Sequence, residues 1–498
     1  MKYNNPVIKG FYPDPSVCKV GDNYYLVCSS MQYFPSVPLF ESKDLINWRQ
    51  IGHCITRKSQ IELDKIESSG GVFAPTIRYN EGRFYMTTTN ATSQQNFYIW
   101  TDNILGEWSE PIYVDQGGID PSLYFEDGKT YFMSNGADDD GIIGILQCEI
   151  DIKTGKKLTS SRTIWQGTGG RFLEGPHLYK IDGNYYLMAA EGGTEFGHMI
   201  TYSRGKSPYG PFESYPCNPA LTNRNLGGYE IQGVGHGDLI QDKNGEWWIL
   251  HLGFRQIGQW LTYHHLGREV FLTPAKFHDD GWFTAGHNGT TSKCFDINSI
   301  NNSVVQEEKV YYTFENTKWD NEWCYLRFPK TENYLVGENN LKLKGTEVTL
   351  DMVDSPTFIG IRQKDFNAVI SCNVCISEGE AGITIYMDEN QHYDLAIRKS
   401  ENGYEVIERL NIGDVKSIEK VADLKDINTA SLVIRANNQF YNFFNKVDGE
   451  EILLGTAQTK YLSSEVAGGF TGVIIGLYAY DEQCDSYAEF TNFSCEYL

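Results

Sequence analysis

Apolar and polar residues alternate in short runs along nearly the whole chain, and the 3.6-residue period of an amphipathic helix is nowhere sustained. The pattern predicts an all-β protein. A loose repeat organises its first half. DPSV from Asp14, APTI from Ala74, DPSL from Asp120, GPHL from Gly175 and HGDL from His236 share one form: a polar or small residue, usually proline next, then a branched apolar residue. From that apolar residue to the next aromatic pair the distance is 7, 7, 8, 7 and 8 residues (Val17 to Tyr24, Ile77 to Phe84, Leu123 to Tyr131, Leu178 to Tyr185, Leu239 to Trp247). GDN, NEG, EDG, IDG and DKNG lie between them as turn signals, so each unit opens with a β-hairpin. The unit starts are 60, 46, 55 and 61 residues apart, the length of a four-stranded propeller blade with its loops. Five units predict a five-bladed β-propeller.

Past about residue 284 this pattern stops, and GHNGTTSKCFDINSINNSVVQEE reads as a polar linker. A second domain is expected to begin near Val310. Its runs LKLKGTEVTL, AGITIYMD, HYDLAIRK, SLVIRA and GVIIGLYAY are separated by turn residues, which predicts a two-sheet antiparallel sandwich. The expected division is a propeller over 1–300 and a β-sandwich over 309–498. A length of 498 residues with 41% hydrophobic content suffices for two cores.

Charge narrows the partners. A net charge of -23 repels phosphate backbones and anionic lipid, so neither nucleic acid nor a membrane surface is expected as a partner. The start, MKYNNPVIKG, lacks the apolar run of a signal peptide, and no stretch reaches the roughly 18 apolar residues of a membrane span, so a cytoplasmic location is expected. The 11 cysteines are scattered through strand-like runs and are expected to be reduced. Cys372 and Cys375 make a lone CxxC inside the alternating segment AVISCNVCI, without a second pair to complete a metal site.

In a propeller the first strand of each blade lines the central channel, so the residues opening the repeats converge. Asp14 and Asp120 bring carboxylates, Glu174 stands one residue before the aligned position, and His236 brings an imidazole; Ala74 and its neighbour Phe73 open the second unit. Asp-Pro alone is a common turn opener. Its recurrence at equivalent positions, with a glutamate near a third, points instead to a pocket of like charges whose pKa values are pushed apart into an acid and a base. Glycoside hydrolysis uses such a pair, each partner contributing about 10²- to 10⁴-fold. Glu174 can face the channel only if the backbone is irregular there, because adjacent residues of a regular strand face opposite ways.

The segments NPVIKGFYPDPSV, GGVFAPTIRYNEGRFYM, GIDPSLYFEDGKTYF, GTGGRFLEGPHLYKIDGNYYLM, EGGTEFGHM, QGVGHGDL and HHLGREVF resemble glycoside hydrolase family 43, in the branch of β-xylosidases and α-L-arabinofuranosidases. IGIRQKDFNA and AGITIYMDENQHYDLAI resemble the concanavalin-like jelly roll that follows the propeller in these enzymes. The resemblance implies an exo-acting, inverting hydrolase of xylo- or arabino-oligosaccharides. Asp14 would be the general base, Glu174 the general acid, and Asp120 the group that orients Glu174 and whose charge holds its proton on. It further implies that His236 and Arg268 lie near the pocket, and that a calcium ion held mostly by water can sit in the channel against His236; no other cofactor is expected. Phe34, Phe73, Phe254 and Trp260 are candidate sugar-stacking rings, with Phe34, Phe73, Ala74, His236 and Arg268 as the expected substrate contacts. Met31 and Phe73 depart from the family pattern at this wall, which leaves the choice between xylose and arabinose open. A catalytically silent carbohydrate-binding protein and a retaining five-bladed hydrolase of the fructan-cleaving type stand as alternatives, and a homo-oligomer is left open.

Overall fold

The alternating runs form strands throughout. The computed structural model describes residues 2–296, 311–312 and 320–498, so the expected domain boundary at 300 and 309, and Val310, lie outside the described residues. Five four-stranded antiparallel sheets follow one another along the chain, the first built from Ser16–Val20, Asn23–Val27, Ser36–Ser42 and Arg49–Ile55. Their opening strands are Ser16–Val20, Val72–Asn80, Ser122–Glu126, Glu174–Ile181 and Ile231–Gln241, and these contact one another in a closed ring. Neighbouring blades bury apolar faces together. Tyr25, Val27 and Leu39 of the first blade, for example, pack with Ile77, Met86 and Phe97 of the second. Complete burial of such side chains stabilises the fold by about 1.5–3 kcal/mol each.

The stretch expected to be a linker is folded in its first part. Cys294–Asp296 pairs antiparallel with Lys2–Asn4, and the Asn5 N–H donates to the Lys293 carbonyl at 2.7 Å, so residues 286–296 complete the propeller rather than leave it. Polar composition misled here because Asn223 and Asn5 satisfy this segment's backbone: the Thr291 N–H donates to Asn223 Oδ1 (3.0 Å), and Asn5 Nδ2 donates to the Ser292 carbonyl (2.9 Å).

The C-terminal unit is a sandwich of an eight-stranded and a six-stranded antiparallel sheet. Ile370, Val374, Leu432, Phe443 and Phe490 from the first sheet face Ile383, Ile385, Leu395, Val406 and Leu477 from the second. Cys372 points into this core while Cys375, on the opposite face of the same strand, is half-buried, and all 11 cysteines are free thiols. The chain adds Tyr311–Tyr312 to the eight-stranded sheet beside Tyr487–Tyr497 and then touches the propeller again, where Tyr325–Leu326 pairs with Tyr33–Phe34. Arg327, fully buried, donates to the Ile66 carbonyl at 2.6 Å and to the Asp354 carbonyl at 2.7 Å. The only α-helix among the described residues is Ser464–Ala467, and no described helix is long and apolar enough to cross a membrane.

Candidate active site

The five residues that open the repeats share an unusual backbone. Asp14, Ala74, Asp120, Gly175 and His236 have φ of 56°, 36°, 57°, 58° and 39°. The left-handed region costs an L-residue about 1–2 kcal/mol, so four non-glycine residues adopt it against their preference. The consequence is a change of aim. Ladders shift register between Phe73 and Thr76, between Glu174 and His177, and twice between Gln232 and Gly237, and such bulges redirect side chains that a regular pleat would alternate. This is how Glu174, one position early, reaches the channel. Gly175 is required beside it: a Cβ there would stand 2.9 Å from His236 Nε2.

Asp14, Asp120, Glu174, His236 and Arg268 line a single cavity of about 370 Å³. Asp14 has the richest set of partners: Ser29 Oγ donates to its Oδ2 at 2.6 Å and Arg268 Nη1 to its Oδ1 at 3.2 Å. Burial pushes this carboxyl up, but Arg268, then His236 and Ser29, outweigh it and hold Asp14 below the usual carboxylate value. Glu174 lacks such partners. Burial first, and the charge of Asp14 second, push it up to about 7 despite Arg268. Asp120 accepts the Gly175 N–H at 3.1 Å, which ties it to the backbone next to Glu174, and burial together with Glu174 and Asp14 pushes its carboxyl well up. The Asp120–Glu174 pair therefore retains a proton into the neutral range. Burial, Asp14 and the mutual repulsion of Asp120 and Glu174 together hold that proton.

His236 directs Nδ1 between two carboxylates, 3.7 Å from Asp14 Oδ1 and 3.8 Å from Asp120 Oδ2, and burial lowers its pKa, so the ring is neutral near pH 7. Calcium takes six to eight oxygen ligands. Among the described residues there is no group of three or more His, Cys, Asp or Glu able to hold a metal ion, and the other edge of His236 is packed on Gly175. Protein groups alone therefore do not complete such a shell, and a calcium ion against His236 would have to take most of its ligands from water.

The expected wall is corrected at several positions. Phe34 is not on the cavity; it packs edge-on against Phe328 with centroids 5.1 Å apart, because the return of the chain through Tyr325–Leu326 covers it. Ala74 is also off the wall and buried, its N–H donating to Ser29 Oγ at 2.7 Å, so it supports Asp14 through Ser29. Trp260 is 87% exposed and stands outside the cavity. Phe73, Phe254 and Met31 do line it.

Sequence reading missed the residues that the second unit supplies. Ser464, Glu465, Gly469 and Phe470 of the sandwich close the cavity over the propeller. The Phe470 ring meets Phe73 edge-on at 5.7 Å, its N–H donates to Ser69 Oγ (2.8 Å), and its carbonyl accepts from Arg268 Nη2 (3.1 Å). Glu465 accepts the His264 backbone N–H (3.0 Å) and pairs with His264 Nδ1 (2.8 Å), whose ring stacks on Phe254 at 3.8 Å. Thr194, which takes the other bond from Arg268 Nη1 at 2.9 Å, was likewise not foreseen. No local pattern marks these positions, since each matters only through a contact more than 70 residues away in the chain.

Residues 3–283 match the model of glycosyl hydrolases family 43, and residues 312–496 match that of the β-xylosidase C-terminal concanavalin A-like domain. The chain belongs to glycosyl hydrolase family 43. A non-reducing-end α-L-arabinofuranosidase of Bacteroides ovatus is 39% identical to it, over 96% of this chain and 91% of the relative. A xylosidase/arabinosidase of Butyrivibrio fibrisolvens is 36% identical over 99% of both. Among solved structures, the Bacteroides ovatus Xyloglucan PUL GH43B superposes with a TM-score of 0.92 at 37% identity over the whole of both chains. A xylan β-1,4-xylosidase from Bacillus halodurans C-125 also gives 0.92, at 29% identity over 99% of each. This family 43 protein is a glycoside hydrolase of the β-xylosidase and α-L-arabinofuranosidase branch, with a carbohydrate substrate.

Proposed function

We propose that the protein is an exo-acting, inverting hydrolase that releases terminal β-D-xylose or α-L-arabinofuranose from short oligosaccharides. The observation that carries this reading is the unequal treatment of three carboxylates in one cavity. Arg268 and Ser29 bind Asp14, while Glu174 is left half-buried with no cation hydrogen-bonded to it. Asp14 is then the ionised base and Glu174 the protonated acid.

In the reaction Asp14 takes a proton from water as the water oxygen attacks the anomeric carbon. Glu174 gives its proton to the departing glycosidic oxygen on the opposite face of the ring, and the product forms with inverted configuration. Asp120 orients Glu174 through Gly175. Arg268 keeps Asp14 charged and joins it to the sandwich. Closure of the cavity by Ser464, Glu465 and Phe470 supports action at a chain end, because a polymer cannot run through a pocket walled on that side.

The reading is tested by nitrophenol release from the nitrophenyl β-D-xyloside and α-L-arabinofuranoside, with Asp14→Ala beside wild type, and by NMR of the anomer first formed. Turnover lost in the variant, with α-xylose appearing first from the β-xyloside, is expected. Retained configuration would overturn the mechanism, and an undiminished Asp14→Ala would overturn its base.

A further inference from the structure

The wall of the cavity on the propeller side contains a ring that packing does not explain. Phe172 lies two residues before Glu174, lines the cavity, and is nevertheless 59% exposed. Its φ is 52°, a strained conformation for a bulky residue. Among the described residues it joins none of the apolar clusters that take up the other large rings of the blades. A phenyl group held in water on a strained backbone gives the fold nothing by itself.

The surroundings nevertheless hold it. Glu191 is fully buried, and its carboxylate accepts from the Thr168 N–H (2.9 Å), Thr168 Oγ1 (3.1 Å), the Gly170 N–H (2.8 Å) and Thr201 Oγ1 (2.8 Å), fixing the turn that leads into Phe172. Arg171 exchanges two hydrogen bonds with Gly192, accepting its N–H at 2.7 Å and donating Nε to its carbonyl at 3.0 Å, and its guanidinium pairs with Glu195. That guanidinium stands 5.3 Å from the Phe172 ring centroid. On another side the ring lies against the bare backbone of Gly193, where a Cβ would approach within 3.1 Å. The rest of the ring is open at the rim.

Geometry gives this rim a direction. An acid at Glu174 must touch the glycosidic oxygen, so the departing group extends from Glu174 away from the closed, sandwich-covered end of the cavity. Glu174 and Phe172 share the same short segment, and sugars present a C–H face that stacks on aromatic rings. We propose that Phe172 is a stacking platform for the sugar ring of the leaving group, and so determines specificity for a glycosyl over a small alcohol leaving group. Glu191 is the positioning residue that keeps the platform in place. The assignment rests on Glu174 being the acid.

The test compares wild type, Phe172→Ala and Phe172→Trp on two substrates of whichever sugar the wild type releases faster: its disaccharide with xylose, and its methyl glycoside. Both leaving groups need the proton of Glu174, but only the first has a ring. In Phe172→Ala the ratio of kcat/KM for disaccharide over methyl glycoside is expected to fall about 3- to 10-fold, the worth of one aromatic contact, and in Phe172→Trp to return towards wild type. A parallel fall on both substrates would mean that Phe172 acts only by placing Glu174, and no change on either would mean that the ring is idle; each overturns the platform. Failure of the wild type on both compounds would instead overturn the proposed exo-acting reaction, with Glu174 as its acid, on which the platform rests.

Discussion

The propeller channel contains two successive layers of side chains built from the same five strands, and they treat charge in opposite ways. The upper layer is Asp14, Ala74, Asp120, Gly175 and His236, with Glu174 beside it; two residues further along each strand lies Ser16, Thr76, Ser122, His177 and Asp238, all buried. In the lower layer the single carboxylate is fully satisfied. Asp238 accepts from Ser16 Oγ (2.7 Å), Arg78 Nη1 (2.7 Å) and Tyr179 OH (2.5 Å), which ties the first, second, fourth and fifth blades together. Burial pushes its pKa up, yet Arg78, with His177 and Tyr179, drives it well below the usual range. In the upper layer three carboxylates share one guanidinium, and two of them are pushed up. A few ångströms along one strand, the same burial therefore produces a structural clamp where donors match acceptors and a proton reservoir where they do not.

The largest expected effect falls on the reservoir. Glu174→Ala is expected to lower kcat/KM on a natural disaccharide by about 10²- to 10⁴-fold while sparing most of the activity on nitrophenyl glycosides, whose leaving group needs no proton. Steady-state kinetics on both substrates check this, and equal losses would remove Glu174 from the acid role. Removing the clamp should act on stability instead. Asp238→Ala leaves the half-buried Arg78 without its carboxylate and is expected to cost about 2–4 kcal/mol in denaturant unfolding. Because the folded pKa of Asp238 is depressed, its contribution is present above its ordinary value of 3.8 and is lost as pH falls through the lower folded value, so Asp238→Asn should flatten that part of the acid unfolding curve.

Next in size is the pH dependence of the reaction. With Glu174 at about 7, kcat/KM on a disaccharide should decline above about pH 7, by about tenfold per unit once the acid is mostly ionised, whereas the limb set by Asp14 lies below the ordinary carboxylate range. A pH profile without an alkaline decline near 7 would contradict the assignment. The smallest effect tests whether Asp14 can be made to resemble its neighbours. Ser29→Ala removes the bond to Asp14 Oδ2, and is expected to cost about 2- to 10-fold in kcat/KM and to move the acid limb upward. An unmoved limb would show that Arg268 and His236 keep Asp14 ionised without Ser29.

Much of this site was legible from the repeat. Asp14, Asp120 and His236 could be placed in one channel because equivalent positions of a closed ring must converge, and Glu174 because its offset demanded a bulge, which the left-handed Gly175 supplies. Phe34 and Trp260 show where that reasoning stops. Both are aromatic and near the right segments, yet one is covered by the returning chain at Phe328 and the other projects into solvent.

Sequence by itself determined the five blades, the sandwich and the convergence of the carboxylates, because strand alternation, turn residues and repeat spacing act over a few residues and recur. Tertiary structure alone decided which carboxylate binds Arg268, that Asp120 grips Gly175, and that Ser464, Glu465 and Phe470 wall the pocket. Those outcomes depend on donors and rings brought together from distant parts of the chain, and a buried group's proton affinity is set by the sum of these neighbours, which no local pattern encodes.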